Sequence, residues 1–427
     1  MSGASYDSSG EDPDDFGASP DSSGEDYDDF DLDNLLSSLE VTPTPRISNV
    51  DEQDMDPDWD DEDMDPDWDD EHLDPDVSYG KADDSFYVFR GHADGVYSMA
   101  CSPLDKYLVA TGGKDNKVFL WKFGLQDSKL ELQGHEGTIS TLAFSRDGKF
   151  LASGSFDGLI KIWDAQLGII KCTLEGLGGG VEWLKWHPGL RGYVVLAGST
   201  NCSVRLWDAD KGIHLRTFNG HASGVTCGDF SCDGKIICTG SSDASLRIWD
   251  PETAESINVR DRHRYHTGGL TCLSINNDST IAVTGSNDST VRLVNLSSGE
   301  VIRSYYSHSD SVVCCGFASN NPYTFATGSL DSKLIVWDTL YPDPVCICEH
   351  KTGEKAEGVT CLLWLAFMPC IITGSTHGRV RMWNCVRGTC LRTYDVHRGE
   401  IVSLSMVKYC THIVSISRDR TARVFQM

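Results

Sequence analysis

Three stretches of the 427-residue chain place a histidine, a hydroxyl residue and an aspartate at nearly constant offsets: His135, Ser153 and Asp157; His221, Thr239 and Asp243; His308, Thr327 and Asp331. These are the parts of a hydrolytic triad, in which histidine takes the proton of a hydroxyl nucleophile and aspartate orients the histidine. A catalytic constellation is needed once, on a strained nucleophile beside an oxyanion hole. Here the set recurs, and each copy is followed by a tryptophan, Trp163, Trp249 or Trp337. Recurrence argues for a part of a repeating unit rather than an active site. No phosphate loop, metal-ligand helix or isolated carboxylate pair stands out elsewhere, so the expectation is a protein without enzymatic activity, cofactor or metal.

The unit that must position these residues is visible as a repeat. GHADGVYSMACSPLDKYLVATGGKDNKVFLW, GHEGTISTLAFSRDGKFLASGSFDGLIKIWD and GHASGVTCGDFSCDGKIICTGSSDASLRIWD align residue for residue with few shifts. Their closing positions are Trp121, Trp163 and Trp249, and further copies end at Trp207, Val294, Trp337, Trp383 and Phe425. Successive steps of 42, 44, 42, 45, 43, 46 and 42 residues match one four-stranded propeller blade each. Alternating stretches such as Val-Arg-Leu-Trp (204–207), bounded by Asp-Gly and other glycine-rich turns, read as strands. The last copy supplies only three strands, and SFYVFR (85–90) stands spare before the first, so it is expected to close the ring as the missing outer strand. The fold class expected is all-β: an eight-bladed propeller over 85–427, preceded by a disordered acidic arm over 1–84.

The Gly-His and Trp-Asp signatures resemble the WD-repeat family over 85–427. A narrower resemblance rests on irregularities. Repeat three reads GGGVEWLKWHP (178–188) without Gly-His, repeat five ends VRLVNLSSGEV (291–301), and the chain closes with ARVF (422–425). Together with the acidic arm these are similar to the angio-associated migratory cell protein family, whose yeast relative is an assembly chaperone for a large-subunit ribosomal protein. The resemblance implies that each His, Ser or Thr, Asp and Trp set is a structural hydrogen-bond network, the histidine bridging the other two under the tryptophan. Blades lacking a member, at Asn201, Val294, His377 and Phe425, should then be held more by packing.

The resemblance also places the loop after each Gly-His position and the turn before each repeat's aspartate on one rim. The loops contribute Asp94, Glu136, Glu182, Asp310, Glu357 and Glu400; the turns contribute Lys114, Phe156, Thr200, Ser242, Asn287, Leu330, Thr376 and Arg418. Phe156 and Leu330 would be apolar anchors among carboxylates, a combination that gives a patch both affinity and steering.

Charge divides the chain. Residues 1–84 hold 31 Asp and Glu against Arg46 and Lys81, and the remainder holds 33 acids against 34 bases. Without a basic excess, direct binding to nucleic acid is not expected. The arm is too acidic and too poor in aliphatics to bury a core, so disorder is its expected state. It carries DMDPDWDDE twice in succession over 54–71, with Trp59 and Trp68 as aromatic contacts in a polyanion suited to wrapping a basic partner. A calcium loop starting at Asp54 fails because Trp59 stands where glycine is needed and the twelfth-position glutamate is absent. FDLDNLLSSLEV (30–41) puts Leu32, Leu35, Leu36 and Leu39 on one helical face that should fold only against a partner, and its spacing resembles a nuclear export signal. Ser8, Ser9, Ser22 and Ser23 each have an acid three residues on, as acidophilic kinases prefer. The first thirty residues lack a positively charged start and an apolar run, and the 16 scattered cysteines form no CxxC pair, so a cytoplasmic monomer with reduced thiols is expected, shuttling with the nucleus if the export signal acts. The functional expectation is an escort for a basic protein, in particular a ribosomal protein; a signalling or cell-migration scaffold and a ubiquitin-ligase substrate receptor are the alternatives.

Overall fold

The computed structural model describes residues 84–124, 128–189, 192–257, 265–352, 355–366, 368–407 and 411–427. They form eight antiparallel sheets arranged as a propeller. Blade 2 is representative: an innermost strand Ile139–Phe144, then Phe150–Ser155, Ile160–Asp164 and an outer strand Ile170–Leu174, each paired with the next. The other innermost strands are Val96–Cys101, Val181–Trp186, Val225–Phe230, Leu270–Ile275, Val312–Ala318, Val359–Trp364 and Ile401–Met406, for blades 1 and 3 to 8.

Strand period and burial explain the order. The second strand of blade 2 is buried at every position and the third at all but its last, because each blade is covered on both faces by its neighbours. The outer strand is exposed or half-buried until its last residue. Each of the eight seams consequently has a core shared by two blades: Ala110, Leu120, Ile139, Leu151 and Trp163 pack between blades 1 and 2, and Trp183, Leu206, Val225 and Phe230 between blades 3 and 4.

Ring closure follows the sequence expectation. Tyr87–Phe89 pairs with Ala422–Gln426, Tyr87 opposite Val424 and Phe89 opposite Ala422, and completes blade 8 as its outer strand. Phe89 stacks on Trp121 of blade 1 with ring centroids 4.7 Å apart, so the closing strand is fixed by packing as well as by its ladder. Two blades depart from the pattern. Among the described residues blade 4 shows three strands, with Ser256 bridging Trp249 where an outer strand would begin. The loop into blade 7 carries a small hairpin, Lys351–Thr352 against Lys355–Ala356.

Candidate functional site

In blade 2, His135 lies on the loop leading to the innermost strand. Its ring reaches Asp157 at 2.8 Å and Ser153 at 2.8 Å, and the Trp163 indole donates to Ser153 Oγ at 2.8 Å. Ser153 is fully buried, with its hydroxyl engaged by both rings, so no substrate can reach it. Blade 4 varies this: His221 and Trp249 meet Thr239, but His221 Nδ1 meets the Ser245 hydroxyl at 2.9 Å, with Asp243 3.5 Å away. Blade 6 repeats the blade 2 pattern with His308, Thr327, Asp331 and Trp337. The carboxylates also cap backbone: Asp157 accepts from the amide of Glu136 and Asp243 from that of Ala222. Burial pushes the Asp243 carboxyl up, yet hydrogen bonds from His221, Ser245 and two amides together hold it well below the usual carboxylate range.

The network extends further than the sequence reading placed it. His92, Thr111 and Asp115 form it in blade 1, His266, Thr284 and Asp288 in blade 5, and His397, Ser415 and Asp419 in blade 8. Val294 and Phe425 therefore remove only the indole donor, and blades 5 and 8 keep their polar tie. A histidine 18 or 19 residues before a Ser or Thr was the available signal.

Blade 7 corrects the reading in a second way. His350 keeps its contact to Thr373 at 2.9 Å and Trp383 donates to Thr373, but His377 stands at the aspartate position and is exposed. The charge comes instead from Glu357, which pairs with Arg379 and, at 2.9 Å, with Arg381; Arg381 in turn donates to His350 Nδ1 at 3.0 Å. Glu357 is completely buried. It is an internal counter-ion and not a rim carboxylate, because the guanidinium groups of Arg379 and Arg381 hold it inside. Blade 3 lacks the histidine altogether. There the Asn201 amide donates to Leu177 O at 2.7 Å, and the buried Trp207 indole nitrogen has no hydrogen-bond partner among the described residues.

The rim itself is regular. In every blade the amide of the turn residue donates to the carbonyl of the residue just before the innermost strand, as Phe156 to Thr138 (2.9 Å), Leu330 to Ser311 (3.1 Å) and Arg418 to Glu400 (3.1 Å). Loops and turns thus share one face around the whole ring. Phe156 is 50 % exposed and Leu330 39 %. Asp94 and Glu400 are partly neutralised, by Lys114 at 3.8 Å and by Arg418 at 3.1 Å. Glu136 and Asp310 are exposed, Glu182 is half-buried, and none of the three has an ion-pair partner among the described residues. The acidic part of the rim is accordingly concentrated at blades 2, 3 and 6.

Leu32, Leu35, Leu39, Trp59 and Trp68 lie outside the described residues, as does the expected disorder of 1–84 apart from Asp84. Among the described residues no three His, Cys, Asp or Glu side chains are grouped to hold a metal ion, and no helix is long and apolar enough to cross a membrane. The described cysteines are free thiols, and burial pushes Cys227 and Cys361 up to about 12.

Seven stretches match the WD domain, G-beta repeat family: 84–122, 126–164, 212–250, 259–295, 299–338, 345–384 and 388–426. They pass over 165–211, which holds most of blade 3. Angio-associated migratory cell protein of Homo sapiens is 30 % identical over 358 residues, covering 80 % of this chain and 80 % of that protein. Among solved structures, Sqt1 of Chaetomium thermophilum bound to the N-terminus of the ribosomal protein L10 has a TM-score of 0.73 at 21 % identity, over 81 % of this chain and 100 % of that one. Sqt1 of Saccharomyces cerevisiae also has a TM-score of 0.73, at 18 % identity over the same shares. The eight blades, their shared hydrogen-bond network and the length of the match place the chain in the WD-repeat family, within the branch that contains angio-associated migratory cell protein.

Proposed function

We propose that this protein is a non-catalytic escort for a basic ribosomal protein, binding a segment of it on the rim of loops and turns. The observation that carries this reading is the set of rim carboxylates without internal counter-ions, Glu136, Glu182 and Asp310, beside the exposed Phe156 and Leu330. A carboxylate already paired has little to offer a cation; an unpaired one beside an apolar anchor offers both charge and contact area. The fold of Sqt1, solved on the N-terminus of the ribosomal protein L10, supports a ribosomal protein as the cargo. The arm, with 31 acids and two bases through residue 84, adds long-range attraction for the same partner, with Trp59 and Trp68 as contacts and Leu32, Leu35 and Leu39 as a second apolar site. Such an escort works in the cytoplasm and enters the nucleus only if export returns it.

Titration of the full-length protein with an arginine-rich N-terminal peptide of a ribosomal protein tests this. Binding should be detectable at low ionic strength and weaken by at least tenfold between about 50 and 300 mM salt, since exposed charges are screened over ~8 Å at physiological salt. Absence of binding at low salt, or affinity indifferent to salt, would overturn the reading.

A further inference from the structure

In four blades the second residue of the innermost strand is a hydroxyl that ties its blade to the next. Ser140 donates to Val181 O at 2.5 Å, Thr226 to Leu270 O at 2.6 Å, Thr360 to Ile401 O at 2.6 Å, and Thr271 to Val312 O. Each lies at the register shift where the innermost strand bulges next to its partner. Blade 3 does this job with a different residue. The carbonyl of Val225 in blade 4 accepts from the indole of Trp183 at 3.0 Å. Trp183 fits because Gly198 and Gly228 flank it; a Cβ at either would stand 2.4 Å and 2.2 Å from the ring.

The bulge position of blade 3 is thereby released, and it holds Glu182. Glu182 has no hydrogen-bond or ion-pair partner among the described residues, and burial alone raises its carboxyl above the usual range, with no base offsetting it. Of the eight positions in this inner ring, Tyr97, Ser140, Glu182, Thr226, Thr271, Val313, Thr360 and Val402, it alone is charged. Two residues before it, Gly180 lies against Phe156 of blade 2, whose Cδ1 would be 2.7 Å from an added Cβ. The exposed Phe156 ring therefore lies against bare backbone two residues along the chain from an uncompensated carboxylate. The same rim already holds an arginine in this fashion: Arg418 lies 5.7 Å from the centre of the Tyr97 ring while pairing with Glu400.

We propose that this step between blades 2 and 3 is the seat for one cationic side chain of the bound segment, an arginine or lysine whose stem lies on Phe156 and whose charge pairs with Glu182. The inference rests on the reading that a basic segment binds this rim, and it assigns the residue that fixes the segment's register. Trp183 is what frees the acid: at the seam to the next blade it supplies the donor that Ser140 and Thr226 supply in blades 2 and 4.

The test uses the full-length protein and two fluorescent octapeptides, one alternating alanine and arginine, the other alanine and citrulline, which keeps the shape and removes the charge. Wild type should bind the arginine peptide more tightly than the citrulline peptide. Glu182→Gln should weaken the arginine peptide on the order of tenfold and leave the citrulline peptide unchanged. Phe156→Ala should weaken the arginine peptide about threefold. Glu182→Gln should melt at or above the wild-type temperature, since the carboxylate has no internal partner to lose, and Phe156→Ala only slightly below it, since half of that side chain already faces water. If wild type ignores the arginine peptide, the proposed function fails. If wild type binds it and both variants bind it equally well, the function stands and this seat is wrong.

Discussion

In blade 2 the ring of His135 lies between a carboxylate and a hydroxyl; in blade 7 the ring of His350 lies between a guanidinium and a hydroxyl. Burial lowers the pKa of His135 and keeps it neutral, with one N–H to place. The carboxylate of Asp157 can only accept, so that proton sits on Nδ1, Nε2 accepts from the Ser153 hydroxyl, and the Ser153 oxygen accepts from Trp163. A guanidinium can only donate. His350 Nδ1 is therefore bare toward Arg381, Nε2–H donates to Thr373, and the Thr373 proton is left for Arg381 O at 3.4 Å. The heavy atoms superpose in role while the protons run in opposite directions. Tying the loop to the second strand requires only that every donor meet an acceptor, and the group that faces Nδ1, a carboxylate in blade 2 and the Arg381 guanidinium in blade 7, selects the direction. The reversal has a structural cost: blade 7 must bury Glu357 between Arg379 and Arg381.

The largest effect expected from breaking this comparison is at Glu357. Replacing it with glutamine leaves two arginines, one of them 4 % exposed, without their shared charge, and should destabilise the propeller by about 3–5 kcal/mol, read as a loss of denaturation midpoint. Asp157→Asn in blade 2 keeps part of the capping and leaves no charge stranded, so about 1–3 kcal/mol is expected. An equal or larger loss at Asp157 would show that the two networks are energetically alike.

Acid sharpens the contrast next. Burial lowers His266 to about 4, and burial with the Arg381 charge lowers His350 to about 3, both from 6.5. The unfolded chain then binds more protons than the folded one between those values, so stability should fall steadily as pH drops from about 6.5 toward 4. Below about 4 the loss should steepen, because the folded-state carboxyls of Asp243, Asp288 and Asp419 are held low and the unfolded ones are not. Melting temperatures measured across pH 7 to 3 check this; a flat profile above pH 5 would contradict the buried neutral histidines. The smallest perturbation is purely spectroscopic. Ring 15N shifts at pH 7 should report the Nδ1–H form for His135 and the Nε2–H form for His350, and a shared tautomer would remove the distinction.

Much of this molecule was legible from residue types alone. Repeat length, the Trp121 to Phe425 series and the spare strand at 85–90 led to eight blades and their closure, because strand alternation and turn signals are local. The rim was legible too, since Phe156, Leu330 and Arg418 occupy equivalent turns and bond equivalent carbonyls. What failed was the inference from a missing residue to a missing interaction. Blades 5 and 8, with Val294 and Phe425, were expected to be held more by packing than by the network, yet His266 and His397 keep their partners, because hydroxyl and carboxylate suffice without the indole. Glu357 was read as a rim acid from its place in a loop, and Arg379 and Arg381 on a later strand hold it inside.

By itself the sequence determined the periodic part of this protein: which segments are strands, how many blades they make, and that its charge is divided between an acidic arm and a neutral body. Tertiary structure alone decided which acids face water. The sequence reading puts Glu182 and Glu357 in equivalent loops, but Glu182 is the second residue of its blade's innermost strand and Glu357 lies two residues before its own. Trp183 takes over one blade's hydrogen bond, while Arg379 and Arg381 arrive 22 and 24 residues later beside the other acid. Solvation depends on neighbours gathered from separate strands, and no pattern along one strand encodes them.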